Sequence, residues 1–96
     1  MILEVAQVPI LSGHERAFEK ALAQAADEVL SQAEGCLGFV AHGWSVERPN
    51  VYLFTITWET LADHTEGFRG SELFQEWRAL IGPHFDGTPV VEHFEG

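Results

Sequence analysis

The stretch "VYLFTITWE" (51–59) decides the fold. In a strand, successive side chains point to opposite faces. Tyr52, Phe54, Ile56 and Trp58 therefore share one face, and Val51, Leu53, Thr55 and Thr57 share the other. A sheet face in contact with water carries charged residues at alternate positions, and this strand has none before Glu59. Both faces need a cover. Helices of the same chain can cover only one, so the other calls for a second sheet.

Working outward, "CLGFVAHGWSVE" (36–47) reads as a partner strand, with "RPN" (48–50) as the turn of an antiparallel hairpin. Upstream, "ILEVAQVPI" (2–10) is a further strand, and Pro9 belongs at its end or on an edge because it cannot donate to a ladder. In "SGHE" (12–15), Ser12 and Glu15 have the spacing of a capping box. The helix this opens puts Ala17, Phe18, Ala21, Leu22, Ala25 and Val29 on one face and is expected to end near Gly35. Downstream, residues 60–82 read as two helical pieces. Thr60 and Asp63 cap the first, in which Leu61, His64 and Phe68 share a face. Gly67 and Gly70 interrupt the run. Ser71 caps the second piece, whose apolar stripe is Leu73, Phe74, Trp77, Leu80 and Ile81, and "GP" (82–83) stops it. A last strand is expected in "TPVVEHFE" (88–95).

The order is β-α-β-β-α-β. Right-handed crossovers make this an α+β, ferredoxin-like antiparallel sheet with both helical units on one face. Its remaining apolar face predicts a homodimer packed sheet against sheet, a dimeric α+β barrel. Residues 1–96 are expected to form one domain.

The formal net charge is -10, from 15 acids against 5 Lys and Arg. Such a chain repels phosphate backbones and anionic lipid surfaces, which argues against nucleic-acid and membrane partners. The single cysteine, Cys36, allows no intrachain disulfide and reads as a small buried thiol. No signal-peptide pattern or membrane span is expected, and the chain reads as cytoplasmic. None of the five histidines falls in an HxH, HxxxH or HxxE cluster, so no metal is expected. No GxGxxG follows a strand, so no nucleotide cofactor is expected either.

Three segments resemble the antibiotic biosynthesis monooxygenase family: "GCLGF" (35–39), "ERPNVYLFTITWET" (47–60) and "DHTEGFRGSELFQEW" (63–77). The resemblance covers nearly the whole chain. It implies a ferredoxin-like monomer, a dimer with a central barrel, and a pocket between sheet and helices in each subunit. Quinone-forming members of this family oxidise phenolic rings with O2 and no cofactor. Heme-degrading members use an Asn, a Trp and a His, whose positions fall here at Ala6 or Gln7, at Phe68 and at Arg78. None matches, and Arg78 cannot ligate iron through a neutral nitrogen. The resemblance therefore favours a cofactor-independent monooxygenase of a small aromatic, phenolic or quinone-like compound. The alternative is a non-catalytic dimeric barrel that binds a small hydrophobic ligand in a stress or regulatory role.

His64 is the candidate catalytic residue, a general base or donor at the pocket rim, because histidine titrates near neutrality. The structural alternative is a core histidine bonded to a carbonyl. Phe68 is expected to border the same cavity. Trp77 and Phe74 fit the core stripe of their helix, and Trp77 is also a pocket candidate. Trp44 and His42 are expected to alternate on one strand face with Val40 and Val46, toward either the pocket or a partner subunit. His93 reads as a structural or interface histidine.

Overall fold

A computed structural model describes residues 1–96 and contains four strands and two principal helices. They are β1 (Ile2–Pro9), α1 (Glu15–Glu28), β2 (Cys36–Trp44), β3 (Val51–Trp58), α2 (Glu72–Ile81) and β4 (Val90–Glu95). The sheet is antiparallel throughout, in the order β2-β3-β1-β4. The chain thus forms the α+β, ferredoxin-like fold expected from its hydrophobic patterning. β3 lies between β1 and β2, with Ala6 opposite Phe54 and Ala41 also opposite Phe54.

Alternation on the two central strands builds the core. Ala6, Val8 and Ile10 from the first strand region join Tyr52, Phe54, Ile56 and Trp58, all buried beneath the helices. Phe18, Leu22 and Ala25 of α1 lie on top of them, each nearly sealed from solvent. Burying a side chain such as Phe18 contributes about 1.5–3 kcal/mol, and truncating it to alanine costs about 3–5 kcal/mol once the cavity is included.

The opposite face of β3 carries half-buried Val51, Leu53, Thr55 and Thr57. Exposed Leu3 and Val40 extend this apolar surface onto the neighbouring strands, where they pair with Thr57 and Thr55.

Several local features depart from the sequence reading. His14 rather than Ser12 occupies the N-cap position of α1, and its side chain makes no capping hydrogen bond. The Glu15 carboxylate instead accepts from the Gly13 N–H, so Ser12 and Glu15 form no reciprocal box. The helix stops at Glu28, and a 3-10 turn (Leu30–Gln32) leads to Gly35, whose φ of +79° suits a residue without Cβ. Cys36 is half-buried rather than buried.

β2 contains a bulge between Ala41 and Gly43, with Gly43 at φ +142°. The extra residue shifts the alternation. His42 therefore reaches Thr55 on the open face, while Trp44 packs edge-on against Tyr52 and Phe18 beneath the helices. The two residues do not share a face.

Candidate active site

The segment after β3 aims His64 inward. Thr60 and Asp63 do form a reciprocal cap: the Thr60 N–H donates to the Asp63 carboxylate, and the Asp63 N–H donates to the Thr60 hydroxyl. The chain then takes a wide π-helical turn (Asp63–Phe68), in which the Arg69 N–H reaches back to the His64 carbonyl. Such turns add a residue to the helical circuit. His64 and Phe68 stay buried while Leu61, expected on the same face, is left exposed. Gly70 closes the turn by donating to Glu66 O, and a Cβ there would lie 2.7 Å from that oxygen.

Between this segment, α2 and the sheet lies a cavity of about 400 Å³. Its floor comes from Glu4, Ala6 and Val8 of β1 with Phe54 and Ile56 of β3 and the His64 ring, which lies there rather than at the rim, and its walls include Phe68, Phe74 and Trp77. The aromatic walls are interlocked: Trp77 meets Phe54 edge-on at 5.9 Å and Phe68 at 6.2 Å. The solvent side carries Arg69 and Arg78, both exposed. This volume falls within the usual range for small-molecule sites.

The polar part of the floor is a buried cluster. Glu4 is 5% exposed and His64 3%. Glu4 Oε1 accepts from the Trp58 indole N–H at 2.9 Å and lies 3.3 Å from His64 Nε2. His64 Nδ1 lies 2.7 Å from Nε2 of His93, which is half-buried on β4. The Trp58 and His64 rings stack 5.2 Å apart, 16° from parallel. Burial opposes charge on each ionisable member. It lowers the His64 pKa to about 4, with help from the nearby Arg69 and His93 charges, so the ring is neutral at pH 7. It raises the Glu4 pKa, an effect partly offset by the Trp58 hydrogen bond and the Arg69 charge. His93 is lowered by burial and by Arg69.

Of the residues singled out in the sequence, His64, Phe68 and Trp77 come together on this cavity. His42 and Trp44 border a separate shallow hollow with Gln7, Arg48, Val51 and Leu53. Ala6, Phe68 and Arg78, at three of the positions matched to the heme-degrading pattern, all border the cavity yet supply no iron ligand. No group of three or more His, Cys, Asp or Glu side chains is arranged to hold a metal ion. No helix is long and apolar enough to cross a membrane.

Two contributors were missed in the sequence, Glu4 and Arg69. Glu4 did leave a signal: it is the only charged residue at an inward position of β1, in phase with Ala6 and Val8.

Comparison with known proteins agrees with this architecture. The family model for antibiotic biosynthesis monooxygenase matches residues 1–80. The chain is 43% identical to the uncharacterized protein YczJ of Bacillus subtilis over 97 residues, covering 99% of this chain and 98% of that protein. A crystal structure from Bordetella bronchiseptica bearing the same family designation superposes with a TM-score of 0.92 at 39% identity, covering 99% of this chain and 95% of the other. SnoaB, a cofactor-independent oxygenase from Streptomyces nogalater, shares the fold with a TM-score of 0.76 at 13% identity, covering 99% and 91% of the two chains. The chain belongs to the antibiotic biosynthesis monooxygenase family.

Proposed function

We propose that the protein is a cofactor-independent monooxygenase that oxidises a small phenolic or quinone-like ring with O2, using the Glu4–His64 pair to take the substrate's proton. The observation that carries this reading is the placement of a buried carboxyl and a neutral imidazole, 3.3 Å apart, on the floor of an aromatic-walled cavity.

Glu4 Oε1 is occupied by Trp58 and His64, whereas Oε2 has no hydrogen-bond partner. A phenol lying flat against Phe68 and Trp77 would present its O–H to Oε2. Burial makes the Glu4 carboxylate a stronger base than an exposed one. His64 fixes the carboxylate, and His93 in turn contacts the other nitrogen of the His64 ring. The phenolate then passes one electron to O2, the two radicals combine as a ring peroxide that takes the proton back from Glu4, and loss of water from the resulting hydroperoxide leaves the quinone carbonyl. The net reaction is phenol plus O2 giving quinone plus water. On this reading His64 acts with Glu4 rather than as the sole base.

The active form is proposed to be a homodimer packed through the open sheet face, where Leu53 and Val51 supply apolar surface and His42 lies near the seam. The test is oxygen uptake by metal-free protein with anthrone-type, hydroquinone and catechol substrates in chelator. Turnover with one water formed per O2 supports the reading. Turnover only after iron or heme is added overturns it, and no turnover across the panel favours the ligand-binding barrel.

A further inference from the structure

The chain has 5 Lys and Arg against 15 acids, and two of the five, Arg69 and Arg78, border the cavity. The structure pairs neither guanidinium with a carboxylate. Its one contact between a basic side chain and an acid is that of His64 with Glu4. Arg78 instead lies over the Phe74 ring, 5.9 Å from its centroid. Arg69 follows the π-helical turn directly, and its charge is felt at Glu4, His64 and His93.

None of the five Lys and Arg side chains is paired with an acid, and what sets Arg69 and Arg78 apart is their shared place on the border of this cavity. The rest of the surface repels anions at long range. A positive rim above an aromatic cavity suits a ligand with an apolar body and an anionic end. Arg offers a planar fork of donors that matches a carboxylate, and stacking against Phe74 holds one fork beside the opening.

We infer that the cavity selects an aromatic ligand carrying a carboxylate, with Arg69 and Arg78 holding that group at the mouth while the ring enters between Phe68, Phe74 and Trp77. The inference rests on the reading of this cavity as the substrate site. It adds a link between binding and chemistry, because an anion beside Arg69 offsets the positive field that this arginine places on Glu4. The carboxyl at the floor then becomes a stronger base when the site is filled.

Calorimetric titration with 1-hydroxy-2-naphthoate and with its neutral methyl ester tests the inference without requiring turnover. Arg69→Gln, Arg78→Gln and the double variant are compared with Arg16→Gln, which removes the same charge from an exposed position of α1 outside the cavity. The acid is expected to bind about tenfold more tightly than the ester, the value of a charge-assisted pair. The double variant should remove that preference and leave the ester unchanged, and Arg16→Gln should leave both unchanged. Equal binding of acid and ester to the natural protein overturns the inference and leaves the cavity reading standing. An effect of Arg16→Gln as large as that of Arg69→Gln also overturns it. Failure of both ligands to bind overturns the inference and the cavity reading together.

Discussion

Glu4 and His64 meet at 3.3 Å on the cavity floor, each almost closed to solvent, and the Trp58 indole N–H fastens the same carboxyl oxygen from beside them. A buried pair of this kind is poor evidence for stability, because desolvation offsets much of the attraction. Its place beside an open cavity gives it a use instead. Glu4→Ala leaves the Trp58 N–H without its acceptor and should cost about 1–3 kcal/mol in chemical denaturation. Glu4→Gln keeps an acceptor oxygen and should unfold within about 1 kcal/mol of the natural protein.

His64 makes stability depend on pH. Its pKa is about 4 in the folded protein against 6.5 for the free side chain. Between those values the unfolded chain binds more protons, so stability rises with pH through this window. The contribution is complete above pH 6.5 and is lost as pH falls toward 4, by about 2–3 kcal/mol. His93 acts in the same direction. Glu4, raised by burial, acts in the opposite one: its contribution is complete below its unfolded value and is lost as pH rises through its folded value. Urea midpoints measured from pH 7 to 4.5 should therefore fall further in the natural protein than in His64→Asn. Parallel curves would show that His64 is not shifted.

Gly35 couples the helix to the sheet. It has φ +79°, and a Cβ there would lie 2.2 Å from the Asp63 carboxyl group. Gly35→Ala should cost about 2 kcal/mol or more, from backbone strain plus displacement of Asp63 from its cap. The π-helical turn carrying His64 begins at Asp63, so ligand affinity should fall with stability. A thermal midpoint equal to that of the natural protein would show that Asp63 moves aside at little cost.

The open face of β3 is the basis of the dimer prediction. Leu53→Asp leaves a monomer solvated but buries an unpaired charge in a sheet-to-sheet interface, at a cost of several kcal/mol, on the order of 3–5. Sedimentation at micromolar concentration should show a dimer for the natural protein and a monomer for Leu53→Asp. A well-folded monomer of the natural protein would remove the need for a covered face.

The legible and illegible parts of the sequence divide on physical lines. Strand alternation in residues 51–58 and the stripe of α2 specified the sheet and its helical layer, because burial repeats every two residues in one and about every 3.6 in the other. The Thr60–Asp63 cap was legible as chemistry between near neighbours. The phase after it was not, since a π-helical turn breaks the period by which Leu61 was grouped with His64. The bulge at Gly43 likewise separated His42 from Trp44 by a pairing irregularity that alternation alone does not reveal. Glu4 stood in the open, an acid in an inward phase. Its partners His64 and His93 lie far along the chain and only the strand order brings them to it.

Oxygen uptake in chelator by the natural protein, Glu4→Gln, His64→Ala and the double variant tests most directly whether the buried pair is the base. With a phenolic substrate that the natural protein turns over, Glu4→Gln should lower the rate by about 100-fold or more. His64→Ala should lower it by about tenfold or more, and the double variant should be no slower than Glu4→Gln, because the two residues act as one unit. A folded Glu4→Gln protein that consumes oxygen at the natural rate would contradict the account.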